Sequence, residues 1–291
     1  MIIVIDALNK DRFGDLLDEM FQLRARVFGD RLGWEVEIIN GREIDQFDRL
    51  DPAYVIGLDD EGHVVSCVRA LQTTGPHMLS DVFQVLLDGE PPLRSATLWE
   101  STRFCVDTQR LCRDGNTMKA VSLATCELMI GSLEYARRSG ISDIITVIDP
   151  VVNRVLKRSD NAPYDYVGST KQMGKVPAMA ALLDCTEERI NRVRAFAGID
   201  HDVFASDESV RALLDARNAA MDTVTADESE WMAILSEMDE PDLPVLSEDI
   251  QDYCRAQIES ALNEAERAAA LRLVEVLVRQ RIHPAMHQLV S

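Results

Sequence analysis

Five charged residues in the first 104 positions have types and spacing suited to chemistry. Arg69 lies inside the apolar run HVVSCVRAL (63–71), and Glu100 and Arg103 interrupt the strand-like stretch SATLWESTRFCVD (95–107). Asp45 and Asp48 stand three apart in EIDQFD (43–48). A charge on a sheet strand faces solvent or needs a partner, because burying it unpaired is costly. The two arginines, the glutamate and the two aspartates could neutralise one another in one cluster, or line a solvent-facing side of a sheet. Spacing alone leaves both open. Upstream, RARVFGDRLGW (24–34) interrupts a helical pattern at Gly29 and Gly33 and supplies Arg24, Phe28 and Trp34.

Other site types are missing. None of the 14 glycines forms a G-x-G, which removes the dinucleotide, usual methyltransferase and Walker loops, and there is no G-x-S-x-G elbow. The six cysteines include no C-x-x-C pair, and the five histidines do not cluster with acids near a nucleophile. No metal site and no disulfide framework are expected, and a reducing cytoplasm is the expected location. Thirty basic against 50 acidic side chains give a net charge of −20, a surface that repels phosphate backbones, so nucleic acid is not an expected partner. No apolar run reaches the roughly 18 residues of a membrane span. MIIVIDALNKDR carries no basic region and no small-residue cleavage site, so no secretory signal is expected.

The elements that must position these residues follow from apolar spacing. IIVID (2–6) reads as a short buried strand, and residues 12–28 carry apolar side chains near helical spacing. AYVIGL (53–58) and HVVSCVRAL flank the turn DDEG as a hairpin, and 95–107 is a further strand. Thr117 to Arg138 spells a long amphipathic helix stopping at Gly140. DIITVID (143–149) is a strand closed by Pro150, with a short helix through Lys157. YDYVG (164–168) and KVPAMAALLD (175–184) are strands around a glycine-bearing turn, and Thr186 caps a helix over 186–196. A mixed α/β sheet with helices on both faces follows.

Beyond Gly198 the pattern turns helical. A stretch without glycine or proline, 247–282, would reach roughly 50 Å as one helix and carries an apolar stripe. Residues 200–291 hold 20 acidic and 7 basic side chains. Two domains are expected: residues 1–200, and an acidic helical extension over 201–291 whose stripe offers self-association.

Taken together, Arg24, Val27, Phe28, Leu32 and Trp34, then Asp45 and Asp48, then Arg69, then Glu100, Arg103 and Phe104 resemble the acyl-homoserine-lactone synthase (autoinducer synthase) family in order and approximate spacing. The resemblance covers about residues 1–200. The family usually reads E-x-S-R-F, and here Thr102 takes the serine position; the tail after residue 200 has no counterpart in the family pattern. The resemblance implies a fold like that of GCN5-related N-acetyltransferases, a mixed sheet whose central strands splay into a V-shaped cleft. It implies transfer of an acyl group from acyl carrier protein or acyl-CoA to S-adenosyl-L-methionine, giving N-acyl-L-homoserine lactone, a quorum-sensing signal, and methylthioadenosine. No cofactor is implied, since S-adenosylmethionine is a substrate. A thioester already carries a good leaving group, so the reaction needs a deprotonated amine, an oxyanion site and a shaped acyl tunnel rather than a covalent nucleophile.

The resemblance also implies roles. Glu100 is the candidate general base, against a purely structural partnership with Arg24 or Arg103. Arg103 binds the methionyl carboxylate or holds Glu100. Phe28 and Trp34 enclose the adenosyl-sulfonium part, since an aromatic face attracts a cation, or are simply core residues. Arg24, Asp45, Asp48 and Arg69 form an ion-pair cluster ordering an N-terminal lid, with Arg24 and Asp45 also candidates to contact S-adenosylmethionine. Phe83, Ser101 and Thr146 are candidates for the acyl pocket, and oxyanion donors would come from a strand bulge. Arg154, Lys157 and Arg158, in an otherwise acidic chain, are candidates for docking an acidic carrier protein. Two other readings compete: a general acyl-CoA-dependent N-acyltransferase, and a non-catalytic interaction protein acting through the helical tail. The first normally has [RQ]-x-x-G-x-[GA] after the central strand, absent from TQRLCRDGNT (108–117); the second is opposed by the intact charged set.

Overall fold

The computed structural model describes residues 1–111 and 117–219. In chain order its elements are β1 (Ile2–Ile5), α1 (Gly14–Arg24), a π-helical segment (Ala25–Arg31), the two-residue strands β2 (Ile38–Ile39) and β3 (Arg42–Glu43), and a 3-10 turn (Gln46–Leu50). There follow β4 (Ala53–Leu58), β5 (Val64–Gln72), α2 (Met78–Asp81), a 3-10 turn (Gln84–Leu87), β6 (Leu98–Val106), α3 (Thr108–Leu111) and α4 (Thr117–Arg138). The last named elements are β7 (Asp143–Ile148), α5 (Pro150–Arg158), β8 (Asp165–Met173), β9 (Val176–Asp184) and α6 (Glu187–Ala197).

Seven strands form one sheet in the order β1-β4-β5-β6-β7-β9-β8. Neighbours are antiparallel except β6 and β7, which run parallel. Strand alternation sends side chains to two faces. Val55, Val68, Ile144 and Leu183 pack under α4 and α6, while Tyr54, Ile56 and Cys67 pack against α1 through Leu16, Met20 and Leu23. Helix ends follow local chemistry. Asp149 caps α5, accepting the Val152 N–H at 2.7 Å ahead of Pro150, and Gly198 closes α6 at φ 69°.

The parallel pair creates the cleft. Pairing between β6 and β7 is confined to Leu98–Ser101 against Asp143–Thr146, although β6 continues to Val106. The strands part beyond Ser101 and Thr146, which gives the expected V-shaped opening. On its other side β6 carries a bulge: Cys67 faces Cys105, Arg69 faces Thr102, and Arg103 takes a left-handed φ of 56°.

Three elements differ from the sequence reading. The helix does not break at Gly29 but widens into the π-helical segment through Arg31, and the chain then turns at Gly33 with φ 63°. A Cβ at Gly29 would lie 2.4 Å from Ile38 Cδ1, the tip of an exposed side chain that would have to move aside. Strand β8 runs to Met173 rather than ending at Gly168, so the glycine-bearing turn shortens to the residues around Gly174. The compact unit extends from Met1 to Asn218, so residue 200 falls within it. Val203 and Val210 are buried in it, and residues 207–218 are helical. The remainder of the expected helical extension, with its apolar stripe and self-association, lies outside the described residues. No described helix is long and apolar enough to cross a membrane.

Candidate active site

The site lies where α1, the π-helical segment, β3, the Gln46–Leu50 turn and strands β5 and β6 converge. The turn is fixed by its own carboxylates. Asp45 accepts the Phe47 N–H at 2.9 Å, and Asp48 accepts the Asp45 N–H at 2.8 Å, a reciprocal cap. Their remaining lone pairs turn toward arginines.

Three guanidiniums and three carboxylates interlock. Arg24 donates to Glu43 at 2.6 Å and bidentately to Asp48 at 2.8 and 2.9 Å. Arg69 grips Asp45 at 2.6 and 2.9 Å, reaches Asp48 at 2.8 Å, and donates Nε to Thr102 Oγ1 at 3.0 Å. Arg103 reaches Asp45 at 2.7 Å and Glu43 at 2.9 Å. The Arg24 and Arg69 side chains are fully buried, and those of Glu43 and Asp48 nearly so. Burial alone would raise the Asp48 carboxyl, but the Arg24 hydrogen bonds and the charges of Arg24 and Arg69 outweigh it and hold it well below the usual carboxylate range. The cluster is balanced three against three, which a buried set needs to avoid an uncompensated charge. The threonine in place of serine keeps the hydroxyl that Arg69 requires.

Glu100 stands apart from this cluster. It is fully buried, and its two oxygens accept the main-chain N–H groups of Met78 and Leu79, each at 2.6 Å. Among the described residues it forms no ion pair; Arg24 and Arg103 are taken by Glu43, Asp45 and Asp48. Burial raises its carboxyl to about 7, with the Leu79 and Met78 N–H groups opposing the shift. Arg103 therefore does not hold Glu100.

Phe28 is buried and stacks on the half-exposed Trp34 with ring centroids 5.1 Å apart, and the Arg103 guanidinium lies 5.5 Å from the Phe28 centroid. Ser101 and Thr146 are register partners at the split of β6 and β7. A small cavity is lined by Glu100, Ser101, Trp99, Ala70, Ser132 and Tyr135; as neighbours in β6, Glu100 and Ser101 send their side chains to opposite faces of the sheet. Phe83 packs beside Leu79, Leu86 and Met78, off that lining. Arg154, Lys157 and Arg158 are exposed on α5, remote in the sheet order from the ion cluster, beside exposed Val151 and Val155. Among the described residues no His, Cys, Asp or Glu group is arranged to hold a metal ion.

Sequence reasoning missed Glu43, which ties Arg24 to Arg103, and Tyr54, whose hydroxyl donates to Asp48 at 2.7 Å. A signal for Glu43 existed. It lies two residues before Asp45 at the end of a strand, where positions two apart share a side.

A splayed mixed sheet with a bulged central strand and a buried isolated carboxylate is the arrangement expected of an acyltransferase. Residues 9–193 match the autoinducer synthase family. The acyl-homoserine-lactone synthase of Agrobacterium fabrum is 35% identical over 192 residues, spanning 66% of this chain and 90% of that protein. That of Pseudomonas aeruginosa is 36% identical over 146 residues, 50% of this chain and 70% of that protein. Among solved structures, the synthase LasI matches with a TM-score of 0.57 and 30% identity over 67% of this chain and 94% of its own. The CoA-dependent synthase BjaI, solved with SAM and isopentyl-CoA, matches with a TM-score of 0.61 and 25% identity over 74% and 99%. The chain belongs to the autoinducer synthase family, and it is an acyltransferase, an acyl-homoserine-lactone synthase.

Proposed function

We propose that the chain makes an N-acyl-L-homoserine lactone from S-adenosyl-L-methionine and an acyl thioester, with Glu100 as the general base. The observation that carries this reading is the isolation of Glu100 beside a charge-balanced cluster. S-adenosylmethionine brings a sulfonium, an ammonium and a carboxylate, a net charge of +1, and Glu100 is the carboxylate left to meet it. A carboxyl poised near 7 takes the ammonium proton, directly or through a water, at neutral pH. The freed amine attacks the thioester carbonyl, the bulge at Arg103 offers main-chain N–H groups to the oxyanion, and the thiol leaves with the proton. The methionyl carboxylate then attacks the carbon bearing sulfur, closing the lactone and expelling methylthioadenosine.

Trp34 and Phe28 form the face for the adenosyl-sulfonium end, and Arg103 and Asp45, at the exposed edge of the cluster, are its polar contacts. Ser101, Thr146 and Phe83 line the acyl side. The exposed basic face of α5 supports an acyl carrier protein as donor; the likeness to BjaI favours acyl-CoA as the alternative. As a diffusible-signal synthase the protein would work in the cytoplasm. The test is incubation with S-adenosylmethionine and either acyl-carrier-protein or acyl-CoA pools, followed by mass spectrometry. Lactone and methylthioadenosine in equal amounts are expected; a product lacking the lactone ring, or none, overturns the reading.

A further inference from the structure

We propose that residues 203–218 are an arm that positions the S-adenosylmethionine side of the site, with Arg217 as the positioning residue. This rests on the functional reading above and gives this part of the chain a role in it.

The arm enters on the free edge of the sheet. Ile2 donates its N–H to Val203 O at 2.7 Å, and Ala205 returns a hydrogen bond to Ile2 O at 2.8 Å, so Phe204 bridges β1 in parallel. The following helix then lies along α1. Val210 is fully buried, and with Leu214 it joins one apolar cluster with Phe13, Leu16, Met20 and Leu23, a cluster that continues into Val27 and Phe28. The side chain that lays one face of the adenosyl pocket thus packs in the same cluster as the arm.

Ion pairs fix the arm near both ends of its helix. Asp207 pairs with Arg12, just before α1, at 2.8 Å. Arg217, with only 11% of its side chain exposed, donates to Glu19 in the middle of α1 at 2.6 Å and to Gly62 O in the β4–β5 turn at 2.8 Å. The other Glu19 oxygen accepts the Val64 N–H at 3.1 Å, so Arg217 and Glu19 together lock α1 to the start of β5. Helix α1 runs without interruption into the π-helical segment, carrying Arg24 in its last turn and Phe28 four residues on. A rigid helix transmits a shift at Glu19 to both. The acyl-side strands β7, β9 and β8 lie toward the opposite edge of the sheet. Loosening the arm should therefore act on the acceptor and spare the acyl donor.

The experiment is Arg217→Ala in the full chain, with each substrate varied in turn. A charge-assisted hydrogen bond of this kind carries enough free energy for an effect of about 3- to 10-fold. We expect the KM for S-adenosylmethionine to rise by about that factor, the KM for the acyl donor to stay within about 2-fold, and Arg217→Lys to recover part of the loss. Unchanged KM values with a lowered melting temperature, or equal rises for both substrates, would overturn the proposal by making the arm a structural brace alone. Should Arg217→Ala fail to fold, Glu19→Gln, which keeps an acceptor and removes the charge, is judged by the same criteria. A wild-type protein that forms no lactone refutes the functional reading instead; an active wild type with an unaffected variant refutes only the arm.

Discussion

Glu43 holds Arg103 by both carboxylate oxygens: Nε reaches them at 3.1 Å each, and Nη2 reaches Oε1 at 2.9 Å. The grip matters because Arg103 sits at a left-handed φ of 56° on the β6 bulge, a conformation that an arginine adopts only when its surroundings fix it. The same carboxylate holds Arg24 at 2.6 Å, so one side chain aligns two guanidiniums from elements 79 positions apart in the chain.

Replacing it is therefore costly. Glu43→Gln leaves three guanidiniums facing two carboxylates in a buried site, and breaking a buried pair this way costs about 3–5 kcal/mol. Urea unfolding should show a loss of that size, and the surplus positive charge should raise the KM for S-adenosylmethionine in whatever fraction folds. A loss below about 1 kcal/mol, the scale of an exposed pair, would show that Glu43 is solvated.

Glu100 gives a pH signature of the opposite sign from an ion-paired acid. Its folded-state carboxyl lies near 7, above the ordinary value of 4.5, so the folded protein binds more protons between those values. Its contribution to stability is then present below about 4.5 and is lost as pH rises toward 7, on the order of 3 kcal/mol. Glu100→Gln should remove that decline and lower turnover by roughly 100-fold or more. Activity of the wild type should fall as pH drops below 7, with the base protonated. A variant that retains both the acid limb and near-normal turnover would exclude Glu100 as the base.

Much of this architecture was legible from sequence, for physical reasons that differ between elements. The β4–β5 hairpin announced itself by β-rich runs on either side of DDEG, α4 by helical apolar spacing, and α6 by Thr186 and Gly198 at its ends. Strand β8 was cut short because it is an edge strand with little buried surface, so Ser169, Thr170 and Lys171 carry no apolar alternation to reveal it. The π-helical segment was not legible, because the apolar spacing of Val27 and Phe28 does not distinguish it from a continuing α-helix. The residue types of the site were visible, but their pairing was not: Glu43 meets Arg103 across 60 positions, and only the folded sheet decides that Arg103 turns to Glu43 rather than to Glu100.

Truncation separates the arm from the rest of the tail. A cut after Gly198 removes Val203, which accepts the Ile2 N–H, and Val210, whose burial alone is worth about 1.5–3 kcal/mol. That shortened chain should melt lower or precipitate. A cut after Asn218 keeps the compact unit and every candidate site residue, and should still form lactone from S-adenosylmethionine and an acyl thioester. Product assay and thermal melting of the two shortened chains side by side check this; loss of activity in a well-folded 1–218 chain would assign a catalytic part to residues 219–291.

The proposed docking of a carrier-protein donor on α5 can be tested directly. Arg154, Lys157 and Arg158 are exposed along a helix that also exposes Val151 and Val155, a basic and apolar face of the kind an acidic, helical carrier protein fits. Lys157 lies 5.9 Å from the Tyr166 ring centroid, which steadies its charge on that face. Reversing two charges, Arg154→Glu with Lys157→Glu, changes no residue that contacts the ion cluster or Glu100. It should raise the KM for an acyl-carrier-protein donor by about 10-fold or more at low salt, with a smaller effect as salt screens the encounter. The KM for S-adenosylmethionine should not move. Parallel assays with the matching acyl-CoA supply the contrast, because a small donor does not span the protein-docking face. Equal losses with both donors would place the acyl thioester's own phosphates on α5, and no loss with either would leave this face outside the reaction.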